Sequence, residues 1–207
     1  MRIIALYLSA LSAGLPFNSV VLNKFEIRNL KFNRKENDIM KELRLAGVIR
    51  ESIVDGPGMR MTIFTQGCPH HCEGCHNPQT HDFEGGYISQ PENILAAIDK
   101  DRMLQGVTFS GGEPFMQCEA LAELAEEIHN RGLNVLSYTG FTFEQLYDNF
   151  DKHPEYRKLL EQCDWLIDGR FVLAERTLNL RFRGSSNQRI IDVKKSLESG
   201  KAVETEL

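Results

Sequence analysis

Residues 106–138, GVTFSGGEPFMQCEALAELAEEIHNRGLNVLSY, decide the fold of this chain. The run 106–110 predicts a β-strand, and 120–131 predicts a helix with its apolar residues on one face. A second strand is predicted at 134–138. A strand, a helix and a strand in this order form a parallel pair, with the helix packed against the sheet. The stretch therefore predicts an α/β fold with parallel strands.

The same alternation of strands and helices continues on both sides of this unit. Further strands are predicted at 61–65, 164–168 and 188–193, and further helices at 92–100, 143–150 and 155–162. A closed eight-stranded β/α barrel typically needs ~250 residues, more than the 207 of this chain. We therefore expect an incomplete, open β/α barrel with parallel strands.

Four short turns rich in glycine, cysteine or polar residues each follow a predicted strand. They are the cysteine loop 68–75, the turn Gly111-Gly112-Glu113-Pro114, the segment Tyr138-Thr139-Gly140 and the pair Asp168-Gly169. In parallel α/β folds the active site lies at the carboxyl ends of the strands. We expect these turns to meet at one edge of the sheet.

Composition and charge exclude several classes of protein. The chain is 42% hydrophobic and 26% charged, which is ordinary for a globular protein, and its net charge is −5. Nucleic-acid-binding proteins usually carry a basic surplus, so we expect no nucleic-acid partner. No run reaches the ~18 consecutive apolar residues that span a bilayer, so we expect no membrane association.

The first 39 residues differ in character from the rest of the chain. Residues 3–15 are apolar and resemble a weak signal-peptide core, whereas 24–38 are polar and without clear periodicity. A secreted protein would expose neighbouring thiols to oxidation. We therefore expect a cytoplasmic protein. Because residues 1–39 differ in character from the rest, we expect them to be an extension outside a functional core at 40–207.

Three of the five cysteines lie in one run, Cys68-Pro69-His70-His71-Cys72-Glu73-Gly74-Cys75. Thiolates suit iron–sulfur clusters, zinc or Cu(I), and three of them leave one coordination position open. Zinc remains an alternative because a nearby histidine could complete a Cys₃His site; the candidates are His70, His71, His76 and His81. We expect His70 and His71 to point to solvent or to a partner, and Cys118 and Cys163 to be small buried residues.

The CxxxCxxC run, followed on the next strand by Gly111-Gly112-Glu113-Pro114, resembles the radical S-adenosylmethionine superfamily. The resemblance implies a [4Fe–4S] cluster on Cys68, Cys72 and Cys75, whose open iron binds the methionine end of S-adenosylmethionine. One electron then cleaves the sulfonium and yields a 5′-deoxyadenosyl radical. It also implies roles for further residues: Gly111, Gly112 and Glu113 hold the methionine, Gly74, Cys75 and His76 flank the adenosine, and Tyr138, Thr139 and Gly140 line the same pocket.

Further motifs resemble the glycyl-radical-enzyme activating family. They are residues 53–60 with Asp55-Gly56-Pro57-Gly58, 66–68, 76–80, 166–171 and 181–189. The last two segments are similar to those of activating proteins for anaerobic ribonucleoside-triphosphate reductase. That reductase is then the implied partner, and the implied reaction takes hydrogen from one of its glycines to leave a glycyl radical. A flavodoxin or ferredoxin is the implied electron donor, and the reaction needs no general acid or base.

Other functions remain open at this point. Pyruvate formate-lyase activation and deazaguanine formation fit the cysteine motif, although the tail Gly184-Ser185-Ser186-Asn187 argues against both. A non-catalytic zinc or electron-transfer protein is the alternative from another class, but neither needs the Gly-Gly-Glu-Pro turn. Arg170, Arg181 and Arg183 are either a solvated face or a group that receives the tail of the reductase.

Overall fold

One seven-stranded mixed sheet forms the centre of the structure, a computed structural model that describes residues 40–207. Its strands are β1 Leu43–Ser52, β2 Arg60–Thr65, β3 Tyr87–Ser89, β4 Gly106–Gly111, β5 Asn134–Tyr138, β6 Trp165–Asp168 and β7 Arg189–Asp192. They lie in the order β3-β1-β2-β4-β5-β6-β7, so that β3 and β7 are the edges.

The strand directions confirm the predicted parallel arrangement for the centre of the sheet only. Strands β2, β4, β5 and β6 are mutually parallel. Strand β1 is antiparallel to both β2 and β3, and β7 is antiparallel to β6. The expectation of parallel strands was wrong for these three pairings. Only residues 53–59 join β1 to β2, which is too short for the crossover that a parallel pair requires.

The helices begin and end where local sequence favours it. They are α1 Pro91–Ile98, α2 Cys118–His129, α3 Phe143–Tyr147, α4 Pro154–Leu160 and α5 Val193–Ser199. Proline opens α1 and α4, where its missing N–H costs no hydrogen bond. A capping box between Thr142 and Gln145 starts α3, and Gly200 in a left-handed conformation ends α5.

The two faces of the sheet have different neighbours. Successive side chains of a strand point to opposite faces. Met61, Ile63, Val107 and Phe109 belong to the large core that includes the buried residues of α1, α2 and α4. Leu136, Ile167 and Ile190 form a separate small cluster to which no helix contributes a buried residue among positions 40–207. The helices therefore cover one face, and the other face borders the site described below.

The Asp-Gly-Pro-Gly motif closes the amino end of this inner face. The Asp55 carboxylate accepts hydrogen bonds from Ser52 Oγ at 2.6 Å and from Thr62 Oγ1 at 3.0 Å. The backbone oxygen of Asp55 accepts a third from Thr108 Oγ1 at 2.7 Å. Residues 53–58 thus lie across β2 and β4. We refer to this loop together with Arg60 as the floor.

Arg60 is fully buried within the floor. Its guanidinium donates to Thr108 Oγ1 at 2.7 Å, to Asn134 Oδ1 at 2.5 Å and to the Val107 carbonyl at 2.7 Å. Burial lowers the pKa of Arg60 to about 10. Because its hydrogen bonds go to neutral oxygens of β4, of β5 and of Pro57 in the loop, Arg60 joins the floor to the sheet.

Residues 40–207 form one compact unit. The expectation that 1–39 are an extension outside the functional core falls on positions that lie outside the described residues. Within the part of the chain that the structure describes, no helix is long and apolar enough to cross a membrane.

Candidate cluster and cofactor site

A cavity of about 940 Å³ lies at the carboxyl ends of the central strands. All four turns singled out in the sequence contribute to its wall, which confirms that they share one edge. Of the predicted site residues, those that line it are Cys68, Cys72, Cys75, His76, Gly111, Gly112, Tyr138, Thr139 and Gly140. Gly74 and Glu113 do not line the cavity, although both lie in turns that do.

The cysteine loop is held in shape by its own backbone. Gly67 N donates to the Thr80 carbonyl at 2.9 Å, and Cys75 N donates to the Cys72 carbonyl at 3.2 Å. Gly74 has a φ of +69°, and a Cβ there would lie 2.8 Å from a methyl carbon of Leu173. A glycine at this position is therefore needed for the turn itself and for the close approach of residue 173.

The surroundings of the thiols suit an iron–sulfur cluster. All five cysteines of the chain are free. Burial raises the pKa of Cys68, while a hydrogen bond from the backbone of His70 lowers it. Cys75 Sγ accepts a hydrogen bond from Asn77 N at 3.4 Å. Such bonds favour the thiolate, which is the form that binds metal.

The donor atoms of the site suit an iron–sulfur cluster. Among residues 40–207, no three His, Cys, Asp or Glu side chains are placed to hold one metal ion. A four-iron cluster offers each thiolate a different iron, and Cys68, Cys72 and Cys75 supply three free thiols on the wall of one cavity.

Cys118 and Cys163 take no part in the site. Both are buried, and their thiols donate to the Phe115 and Leu159 carbonyls at 3.1 and 3.3 Å. Burial raises the pKa of each thiol well above its usual range. The prediction that they are small core residues is confirmed.

The glycine-rich turn packs directly against the cysteine loop. Gly112 N donates to the Thr65 carbonyl and Glu113 N donates to the Gly67 carbonyl, both at 2.8 Å. Gly111 has a φ of +96°, and a Cβ on Gly112 would lie 2.4 Å from the carbonyl oxygen of Gly67. The two glycines thus permit contact between two backbones of this chain, in addition to the ligand contact that the sequence suggests.

Glu113 is fully buried and its carboxylate has four partners. His70 Nε2 lies 2.7 Å from Oε2, and Gly140 N donates to the same oxygen at 2.8 Å. Thr139 Oγ1 and Phe115 N donate to Oε1 at 2.9 and 3.0 Å. A contact between Glu113 and the amino group of a ligand stays a prediction, and it requires Glu113 to give up one of these donors.

The expectation that His70 points to solvent was wrong. His70 is 9% exposed, and its ring packs edge-on against Phe141 with 4.6 Å between the ring centroids. His71 is exposed, as expected. Sequence reasoning missed His70 because the motif contains two adjacent histidines and nothing local shows which of them faces Glu113.

The loop between β6 and β7, residues 169–188, also lines the cavity and carries three arginines there. Gln188 fastens this loop, since its Oε1 accepts from Gly184 N at 2.8 Å and its Nε2 donates to the Gly169 carbonyl at 3.0 Å. Tyr138 Oη donates to the Phe182 carbonyl at 2.7 Å. Phe182 has a φ of +60°, an unfavourable value for a bulky residue, so these bonds hold a strained turn.

The arginines make this wall positively charged. Arg176, Arg181 and Arg183 line the cavity, whereas Arg170 does not, and Asp55 is the sole acidic residue among the described residues that line it. Arg183 Nε is buried without a hydrogen-bond partner among positions 40–207. Its Nη1 donates to the Gln188 carbonyl at 3.3 Å. The cavity therefore has three cationic side chains on its wall in a chain whose net charge is −5.

Comparison with known proteins gives three kinds of match. The model of the family described as "4Fe-4S single cluster domain" matches residues 54–191. Anaerobic ribonucleoside-triphosphate reductase-activating protein of Vibrio cholerae is 32% identical over 144 residues, which cover 66% of this chain and 89% of that protein. Pyruvate formate-lyase-activating enzyme of Clostridium pasteurianum is 33% identical over 118 residues, 54% of this chain and 49% of that protein. The crystal structure of QueE from Escherichia coli matches with a TM-score of 0.39 and 19% identity, over 49% of this chain and 53% of that one.

Proposed function

The chain belongs to the anaerobic ribonucleoside-triphosphate reductase-activating proteins and has a 4Fe-4S single cluster domain, and we propose that it activates such a reductase as a radical S-adenosylmethionine enzyme. One observation carries the proposal. Three free thiols and a glycine-rich turn meet on the wall of a single cavity at the carboxyl ends of the parallel strands.

We assign the residues of the turns that form this wall as follows. Cys68, Cys72 and Cys75 hold the [4Fe–4S] cluster, and Gly111, Gly112 and Glu113 form the methionine site. Gly74, Cys75 and His76 flank the adenosine, and Tyr138, Thr139 and Gly140 complete the pocket. When bound, the cluster supplies one electron for reductive cleavage of S-adenosylmethionine, after which a hydrogen atom is taken from a glycine of the partner. No side chain of the chain has to transfer a proton.

The shape of the sheet suits a protein substrate. We propose that it is an incomplete barrel, because helices cover its outer face, the cavity borders its inner face, and β3 and β7 end the strand order without pairing with each other. A glycine on a flexible loop has to come within near-attack distance of the reacting carbon. An open side gives such a loop room to enter. The same proposal makes residues 40–207 the functional core.

The arginine wall supports docking of an anionic segment of the partner. Arg176, Arg181 and Arg183 line the cavity and form no ion pair with an Asp or Glu side chain among the described residues, although Arg181 donates to the Leu207 oxygen at 3.1 Å. Charge reversal by Arg183→Glu, with iron content unchanged, is expected to weaken activation of the reductase. Unchanged activation would remove the docking role, and Arg170→Glu, outside the cavity, is the matched control.

The remaining components follow from the chemistry. The electron donor is proposed to be a flavodoxin or ferredoxin. A cytoplasmic location is proposed because the three ligand thiols have to stay reduced. Neither nucleic acid nor a membrane is assigned as a partner.

The decisive experiment detects the radical on the partner. The protein is reconstituted with iron and sulfide, reduced, and mixed with S-adenosylmethionine and an anaerobic ribonucleoside-triphosphate reductase. A glycyl doublet in the electron paramagnetic resonance spectrum is expected, absent with Cys72→Ser and retained with Cys118→Ser.

A second mixture contains a pyruvate formate-lyase instead of the reductase, since an activating enzyme of that type is also similar to this chain. A doublet in that mixture alone would reassign the partner, and a colourless protein with stoichiometric zinc would reject the enzyme.

A further inference from the structure

Glu113 joins three separate segments of the site at one carboxylate. His70 comes from the cysteine loop, Thr139 and Gly140 follow β5, and Phe115 belongs to the turn of Glu113 itself. Because a carboxylate oxygen only accepts hydrogen bonds, His70 Nε2 is the donor of the 2.7 Å bond. The His70 and Glu113 side chains are 4% and 0% exposed, so the bond is shielded from water.

His70 also lies in the loop of the first cysteine, two residues after Cys68. Burial raises the pKa of the Cys68 thiol and the His70 backbone partly offsets that rise, while the His70 ring donates to Glu113. One residue therefore connects a proposed cluster ligand to the carboxylate that holds the methionine turn. Outer partners of this kind orient ligands and tune what they bind.

The packing around His70 leaves its ring little freedom. A Cβ on Gly140 would lie 2.3 Å from His70 Cδ2, so position 140 admits the ring only as glycine. Phe141 contacts the ring from the side. The histidine is thus fixed by shape as well as by its hydrogen bond.

We propose that His70 is a positioning residue that locks the cysteine loop to the Gly-Gly-Glu turn, so that the cluster and the methionine site keep one relative placement. The inference rests on the proposed function, because that function assigns the iron–sulfur cluster and S-adenosylmethionine to the two sites. It predicts that loss of the ring donor weakens binding of S-adenosylmethionine more than it weakens retention of iron, since the three thiols remain.

The test compares two amides of different reach at position 70. Glutamine places its amide nitrogen near the position of Nε2, whereas asparagine is too short to reach Glu113. His70→Asn is expected to weaken S-adenosylmethionine binding about 10- to 100-fold, the range expected for losing one buried hydrogen bond to a charged group. His70→Gln is expected to bind within about threefold of wild type, as is the control His71→Asn in the same loop.

The measurements are made on the reconstituted full-length protein. They are iron per chain, the dissociation constant of S-adenosylmethionine, and the change that it causes in the resonance spectrum of the reduced cluster. Equal binding by His70→Asn, His70→Gln and wild type would overturn the inference, as would equal weakening in both variants with iron lost in parallel. If wild type itself holds no cluster or does not bind S-adenosylmethionine, the proposed function fails instead.

Discussion

Replacing Gly112 by alanine is expected to force the glycine-rich turn away from the cysteine loop. The added Cβ would lie 2.4 Å from the carbonyl oxygen of Gly67 and 3.1 Å from that of Thr65. Both neighbours are backbone atoms, so neither can rotate aside as a flexible side chain would. The φ of Gly112 is not in the left-handed region, so the alanine would be destabilising through steric overlap and not through backbone strain.

The size of the effect follows from what has to move. Overpacking a tight site costs typically about 1–3 kcal/mol. Separation of the two backbones also weakens the 2.8 Å bond from Glu113 N to the Gly67 carbonyl, and a net hydrogen bond contributes about 1 kcal/mol. We expect the free energy of unfolding to fall by about 2–4 kcal/mol.

Urea unfolding of the full-length chain without iron, in reducing buffer, measures this change by circular dichroism. Gly47→Ala in β1 is the matched control, because a Cβ there meets no atom within 4 Å. That variant is expected to match wild type or to gain up to about 1 kcal/mol. The reasoning is refuted if Gly112→Ala lies within about 0.5 kcal/mol of wild type, a change typical of neutral surface substitutions.

Three further outcomes are expected. Arg60→Met leaves several buried oxygens of the floor without a donor and should lower the free energy of unfolding by about 2–4 kcal/mol in the same urea assay; a loss below about 1 kcal/mol would contradict its role. Iodoacetamide at pH 8 should label Cys72 and Cys75 of the iron-free protein before Cys118 and Cys163, because the latter two are buried and burial raises the pKa of both; equal labelling by mass spectrometry would argue against this. The hydrogen bond from Arg189 lowers the pKa of Glu144 to about 2, below its unfolded value, so its stabilisation is present above about pH 4.5 and is lost as the pH falls towards 2. The stability difference between wild type and Glu144→Gln should shrink over that range, and a constant difference would exclude the pair as its source.

The sequence predicted the centre of the fold because the centre follows local rules. The strand 134–138 and the helices around it show clear periodicity. A strand, a crossover helix and a second strand form a parallel pair with a right-handed connection, so the order of elements also predicts the direction of the second strand. For the same reason, strand order and direction alone were enough to place the turns after β2, β4, β5 and β6 at one edge.

The edges of the sheet depended on information that periodicity does not carry. Strand β1 contains Gly47 and alternates weakly, and β3 has three residues, so neither has a distinct pattern. The direction of β7 is set by the loop 169–188, which contains no α-helix to form a crossover. Hydrophobic patterns identify strands, but they do not report which neighbour a strand will pair with.

The site likewise contains residues that the sequence identified and residues whose contacts it did not show. The three thiols and the glycine turn could be found because their chemistry requires fixed spacing in the sequence. The bond between His70 and Glu113 joins residues 43 positions apart, and only the fold brings them together. Arg60 was likewise invisible, since a buried arginine with neutral partners resembles a surface residue in sequence.

The floor under the cavity has a consequence for the order of events. Arg60 and the loop 53–58 occupy the amino end of the inner face, so the carboxyl end and the open side of the sheet are the routes into the cavity. A protein partner that docks there as proposed would cover the route taken by a small molecule. S-adenosylmethionine would then have to load first, and methionine and deoxyadenosine would depart only after the partner has moved away. Turnover would be limited by release of the partner, and excess partner added before S-adenosylmethionine should slow the first turnover.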